Sequence, residues 1–140
     1  MLEFIKDQNA DGGGDTPEAV HTALKESIGE LNWSPDARAR ILFLVLDAPP
    51  HYDPAVMEEL HKYITIASKK GIKIIPITAS GIEKDAEFLM RYFSIATNGT
   101  YVFITNHSGI GNDHLEASVG QYEVEYLNNL MVRLIGKYLQ

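Results

Sequence analysis

Ile41-Leu42-Phe43-Leu44-Val45-Leu46-Asp47-Ala48-Pro49-Pro50-His51 is the stretch on which the reading of this chain turns. An unbroken apolar run closed by a carboxylate and two prolines predicts a strand covered on both faces, because a strand with one wet face alternates polar and apolar side chains. We therefore expect a central strand of a parallel sheet. In open α/β sheets ligands gather beyond the carboxyl ends of the strands, so Asp47 is the first candidate functional residue, with the prolines halting the ladder just past it. The plain structural alternative is that Asp47 only begins a turn.

Working outward, the upstream side holds Asn9-Ala10-Asp11-Gly12-Gly13-Gly14-Asp15-Thr16-Pro17-Glu18, a glycine-rich loop that runs into a helix over about 16–28. Val20, Leu24 and Ile28 recur at the spacing of one buried helical face. Either Asp15 caps this helix with Glu18 completing a capping box, or Thr16 caps it and Pro17 takes the first helical position. Before the loop, Leu2, Phe4 and Ile5 suggest the tail of a helix, and after the helix Trp33 reads as a plug under the sheet.

Downstream, Asp53-Pro54 opens a helix that Gly71 closes, with Val56, Leu60, Tyr63, Ile64 and Ala67 along its packing side. Residues 72–78 form the next strand, in which Pro76 is tolerable only near an end or at a bulge. A helix over 84–96 packs through Ala86, Leu89, Met90 and Phe93. The Asn98-Gly99 turn then leads into a strand over 100–104. A long polar loop covers 105–118, and a last helix over about 121–138 carries Tyr122, Tyr126, Leu130, Leu134 and Ile135 on one side. Alternating helices and strands argue for an α/β fold: a Rossmann-like parallel sheet in three layers, with helices on both faces.

The chain has 140 residues, 45% of them hydrophobic, enough for a single domain over 1–140. A net charge of −7 disfavours nucleic acid, which needs a basic face, and makes a cation the more natural guest. The absence of cysteine excludes disulfides and thiolate zinc sites. No segment approaches a membrane span and the first residues lack the shape of a signal peptide, so no membrane insertion is expected and the chain as given reads as soluble.

The strongest constellation pairs Asp47 with Asp15, Thr16 and Glu18. If both segments meet one edge of the sheet, three carboxylates and a hydroxyl converge, and oxygen donors suit Mg²⁺, Mn²⁺ or Ca²⁺. The structural alternative is a helix cap beside an unrelated turn. His51 and Ser80 would stand at the edge of such a site. His107, Asp113 and His114, with Glu116, form a second set on the long loop, though their spacing fits no regular zinc pattern and a solvated loop is the simpler account.

Together, Gly12-Gly13-Gly14-Asp15-Thr16-Pro17-Glu18-Ala19-Val20 and the apolar strand ending Asp47-Ala48-Pro49-Pro50-His51 resemble the middle of a von Willebrand factor A domain, and the corresponding region of integrin β subunits is similar. The resemblance implies a metal-ion-dependent adhesion site on the carboxyl edge of the sheet, whose cation is completed by an acidic side chain of a protein partner. It matches Asp47 to the strand-end ligand, and Glu18, Asp15 or Thr16 to the second-loop ligand. The leading Asp-x-Ser-x-Ser motif of that family is absent. This implies a truncated domain, either the carboxyl-terminal portion of the fold or a chain that completes the fold with another, with a cation weakly held. It also implies a bare edge on the Ile41–Leu46 strand, and hence a homodimer through that edge.

Enzyme readings are weaker. The glycine triplet lacks the phosphate-loop ending, and its carboxylates would repel phosphate. Asp47 with Thr78 and Ser80 loosely resembles a metal-dependent phosphoryl-transfer site, which makes a hydrolase the alternative function. A folded scaffold with a dead metal site is the third reading. The expectation is therefore a binding module and not an enzyme.

Overall fold

The structure, a computed structural model, describes residues 3, 6–7, 9, 16–79, 82–104 and 125–140. Its described elements are α1 (Val20–Leu24) running directly into a π-helix (Lys25–Glu30), β1 (Arg40–Leu46), α2 (Pro54–Lys70), β2 (Ile72–Thr78), α3 (Lys84–Ala96), β3 (Val102–Phe103) and α4 (Leu127–Tyr138). The strands form a parallel sheet in the order β1-β2-β3. Such pairing needs crossover connections, and α2 and α3 supply them. The fold is α/β, with helices on both faces of the sheet.

Pleating sorts the side chains into two cores. Leu44, Leu46, Ile72 and Ile74 point to the face covered by α1, α2 and α3, where they meet Leu24, Ile28, Leu60, Ile64, Met90 and Phe93. Ile75, Ile77 and Val102 point to the other face, where Leu134 of α4 is the buried helical residue and Ile41, Phe43, Leu130 and Met131 pack around it.

Several boundaries follow from local chemistry. The Asp53 carboxylate caps α2 by accepting the Val56 N–H at 3.1 Å, and Pro54 takes the first helical position. Gly71 ends α2 in the left-handed conformation, φ 67°. Asn98 turns the chain at φ 53°, and Gly99 then lies so close to β2 that a Cβ there would sit 1.9 Å from the Ile74 carbonyl oxygen. Only glycine fits that contact.

Pro76 occupies the fifth of seven positions in β2. Ala79 N–H donates to Leu46 O, while Ile104 N–H donates to Thr78 O, so odd residues of β2 face β1 and even residues face β3. The donor that proline lacks would thus point toward β3, whose ladder starts only at Val102 opposite Ile77. Below that level Ile74 N–H is received at 3.0 Å by the Thr97 hydroxyl, which itself donates to Phe93 O. Proline therefore costs no ladder bond here.

The amino ends of the strands are tied together by Arg40. Its guanidinium donates to Ser34 O, Pro35 O and Lys70 O, joining the loop before β1 to the end of α2. Close by, Lys70 Nζ donates to Ile28 O and Trp33 Nε1 to Ser27 O, each at 2.7 Å, so both cover carbonyls of the π-helix. Trp33 packs half-buried against the larger core, as its reading as a plug expects.

Four expectations are corrected. β1 is not central: among the described residues it is the edge of the sheet and β2 is the middle strand. Its apolar run reflects side chains meeting helices on either face, with Val45 left 69% exposed. The first helix starts at Val20, and neither Thr16 nor any other side chain caps it, because Glu18 is engaged in a strand-like bridge instead. β3 is two residues long and not five. Glu125 and Tyr126 precede α4, and Tyr126 is 80% exposed, so it belongs to no packing side.

Candidate functional site

The carboxyl rim of the sheet is where the two sequence segments meet. β1 ends at Leu46, Asp47 follows it exposed, and the chain continues through Pro49 and the buried Pro50. Glu18 N–H donates to Pro49 O at 2.7 Å, and Glu18 and Pro50 form an isolated parallel bridge. The end of the glycine-rich segment is thereby pinned beside the strand-end turn. Thr16, two residues earlier, is exposed, and His51 is half-buried next to the bridge. Of the expected ligands, Glu18, Thr16 and Asp47 thus lie on segments that meet at one rim. Asp15, Ser80, His107, Asp113, His114 and Glu116 lie outside the described residues.

Other carboxylates gather on the same rim. Asp53 starts α2, while Glu83 and Asp85 start α3, where negative charge is favoured by the helix dipole. Tyr52, between Asp47 and Asp53 in sequence, has its phenol pushed above the usual tyrosine value, first by burial, then by the carboxylates of Asp85 and Glu83. That second influence shows that the start of α3 acts on the β1 turn. The sequence reading passed over Glu83 and Asp85; acids in the first turn of a helix that follows a parallel strand are the signal that would have found them.

Opposite charge lies at the other rim. The amino ends of β1 and β2 and the carboxyl ends of α2 and α4 carry Arg38, Arg40, Lys69, Lys70, Lys73 and Lys137, against Glu30 and Asp36. The described carboxyl rim carries Glu18, Asp47, Asp53, Glu83 and Asp85, against Lys84. The domain is therefore polar along the strand direction, acidic where the candidate ligands lie.

Donor chemistry at the rim fits a hard cation: carboxylate and hydroxyl oxygens, all open to water. Among the described residues, no three His, Asp or Glu side chains are grouped so as to hold a metal ion. Two carboxylates and a hydroxyl on adjoining segments would by themselves hold a hard ion only weakly, because such an ion takes six or more oxygens and water would supply the rest.

Thr78, at the end of β2, does not face the rim. It is fully buried, with its hydroxyl 2.7 Å from the Tyr101 hydroxyl. Arg91 lies over the Tyr101 ring, 4.5 Å from its centre, and pairs with Glu87 one helical turn away at 2.7 Å. This network joins α3 to the β2–β3 pair and is satisfied internally, so Thr78 is a structural residue rather than a partner for Asp47. Burial first, and then Glu87, pushes the Tyr101 phenol up, against the opposing influence of Thr78 and Arg91.

Next to the rim, an open groove of 710 Å³ runs between α1 and α2, lined by His21, Ala55, Val56, Glu58, Glu59, His61 and Lys62. His61 is on the surface, near the Tyr92 hydroxyl, whereas His21 is half-buried and its Nδ1 has no hydrogen-bond partner among the described residues. Among the described residues, no helix is long and apolar enough to cross a membrane. Comparison with family models, with curated proteins and with solved structures finds no match to the chain.

Proposed function

We propose that this chain is a von Willebrand factor A-like, Rossmann-like module, corresponding to the carboxyl-terminal part of that fold, and that it binds a protein partner through a divalent cation at its carboxyl rim. Asp47 and Glu18, with Thr16 and Asp15, would hold Mg²⁺, or Mn²⁺ or Ca²⁺ in its place. An acidic side chain of the partner would supply a further oxygen. The observation that carries this reading is the Glu18–Pro50 bridge, which brings the glycine-loop segment and the strand-end aspartate to one rim. The surrounding carboxylates support it, since they repel one another until a cation is present.

Thermal unfolding in the presence of Mg²⁺ or Mn²⁺ tests the proposal. At a cation concentration ten times Kd, a ligand bound only by the native state adds about 1.4 kcal/mol, a rise in Tm of about 5 °C for a domain of this size. Asp47→Ala should abolish the rise while leaving the metal-free Tm nearly unchanged, because the side chain is exposed. No rise at 10 mM cation would overturn the cation site and leave a folded scaffold. Turnover of a generic phosphoester, lost in Asp47→Ala, would favour the hydrolase.

A further inference from the structure

Strands of one sheet satisfy each other's backbone groups in alternation, and the register of β1 shows which of its groups are left over. Leu46 O receives the Ala79 N–H, and Leu46 lies opposite Thr78. Arg40, Leu42, Leu44 and Leu46 therefore spend their backbone N–H and C=O on β2. Ile41, Phe43 and Val45 present theirs to the opposite side, where no described residue pairs with them.

Proteins usually blunt such an edge with a proline, a bulge, a charge or a short strand. Between Ile41 and Leu46, β1 has none of these. It is seven residues long, its register with β2 is continuous, and from Ile41 to Leu46 it contains neither proline nor charge. Its most exposed side chain is a valine, Val45.

We infer that this edge binds a second copy of the same chain, antiparallel, across a two-fold axis near Phe43. Charge selects both the occupant and the orientation. β1 enters from the basic rim, past Arg38 and Arg40, and leaves at the acidic rim with Asp47. Parallel pairing would stack like rims together. Antiparallel pairing lays the acidic rim of one copy beside the basic rim of the other, and only a partner with the same charge gradient matches along the whole strand.

Hydrogen bonding restricts the register further. Outward groups sit on odd residues, so odd must face odd: Phe43 opposite Phe43, Ile41 opposite Val45, and Asp47 opposite Ala39, between the second copy's Arg38 and Arg40. The product joins the described three-stranded sheets of the two copies into one continuous sheet in which Val45 lies beside the second copy's Ile41. A competing apolar surface exists on the outer side of α3, where Phe88, Tyr92 and Ile95 repeat at helical spacing.

Light scattering on the eluting full chain at 100 µM tests the inference. The expected mass is about 31 kDa, twice 15.6 kDa. A mass of 15.6 kDa, or one that grows without limit as concentration rises, overturns it. Val45→Lys adds a charge at a site that is already exposed, so at a concentration low enough for both chains to be monomeric its circular dichroism and Tm should match the parent, while its dimer Kd rises at least tenfold. An unchanged Kd overturns the edge assignment, as does dispersal by Phe88→Lys instead. Arg38→Glu should raise Kd several-fold and weaken its dependence on salt, and adding Asp47→Lys to it should restore Kd. Failure of that restoration overturns the antiparallel register.

Discussion

Among the described residues, fifteen buried side chains from α1, the π-helix, α2, α3, the turn before α3 and two strands make up the core on one face of the sheet, and four from β2, β3 and α4 make up the core on the other. Both faces read as equally apolar along β2, which is buried through almost its whole length. The difference lies in what covers them. On the thick face, α2 and α3 cross back antiparallel to the strands and α1 packs against α2. On the thin face, α4 is the one helix among the described residues that packs on the sheet, and Val45 is left exposed. Among the described residues the larger core therefore lies on one face of the sheet, although the outer side of α3 on that same face leaves Phe88 and Ile95 exposed.

The contrast can be broken most severely at the seam. Gly99 delivers the chain from α3 to β3 by lying against the Ile74 carbonyl, so Gly99→Ala must push β3 away from β2. We expect a loss of about 4–5 kcal/mol in urea unfolding, or failure to fold, because the clash is with backbone and cannot be relieved by a rotamer change. A loss below about 1 kcal/mol would mean the turn is looser than described.

Next in size is a paired test of the two faces. Phe93→Ala on the thick face should cost about 3–5 kcal/mol and lower amide protection throughout α2, α3 and the strands. Leu134→Ala on the thin face should cost about 2–3 kcal/mol and release the amides of α4 while those of α2 stay protected. Uniform loss of protection in both variants would erase the distinction between the faces.

The smallest effect concerns Tyr101, whose hydroxyl meets Thr78 on the thick face. Tyr101→Phe should cost about 1–2 kcal/mol at neutral pH through the lost hydrogen bond. Its phenol holds its proton more tightly in the folded than in the unfolded chain. The stabilising contribution is therefore whole below the unfolded value near 10 and is lost as pH rises through the folded value. Alkaline unfolding followed by circular dichroism should show the parent losing stability more steeply above pH 10 than Tyr101→Phe; equal slopes would refute the assignment.

How much of this was legible depends on how local the deciding chemistry is. The bounds of α2, β2 and α3 follow from Asp53-Pro54, Gly71 and Asn98-Gly99, each of which acts through its own backbone conformation. The place of β1 in the sheet does not, because Ile41–Leu46 would look the same in the middle or at an edge whose faces both meet helices. At Glu18 two local rules competed. The residues around it suit a helix start, yet its N–H is taken by Pro49 O, a partner thirty-one residues away that no capping pattern reveals. The π-helix after α1 has no sequence signature at all. For the candidate site, the sequence offers Asp47 and Glu18 as separate candidates, and the bridge from Glu18 to Pro50 is a long-range contact that only the folded chain supplies.

Arg40 separates the two ends of the molecule in a way that bears on its evolution and on engineering. By fastening a loop, a strand and a helix terminus at the amino rim, it keeps the architecture independent of whatever sequence occupies the far loops. Those loops can then be exchanged, lengthened or randomised for new recognition, with the scaffold beneath them inherited unaltered.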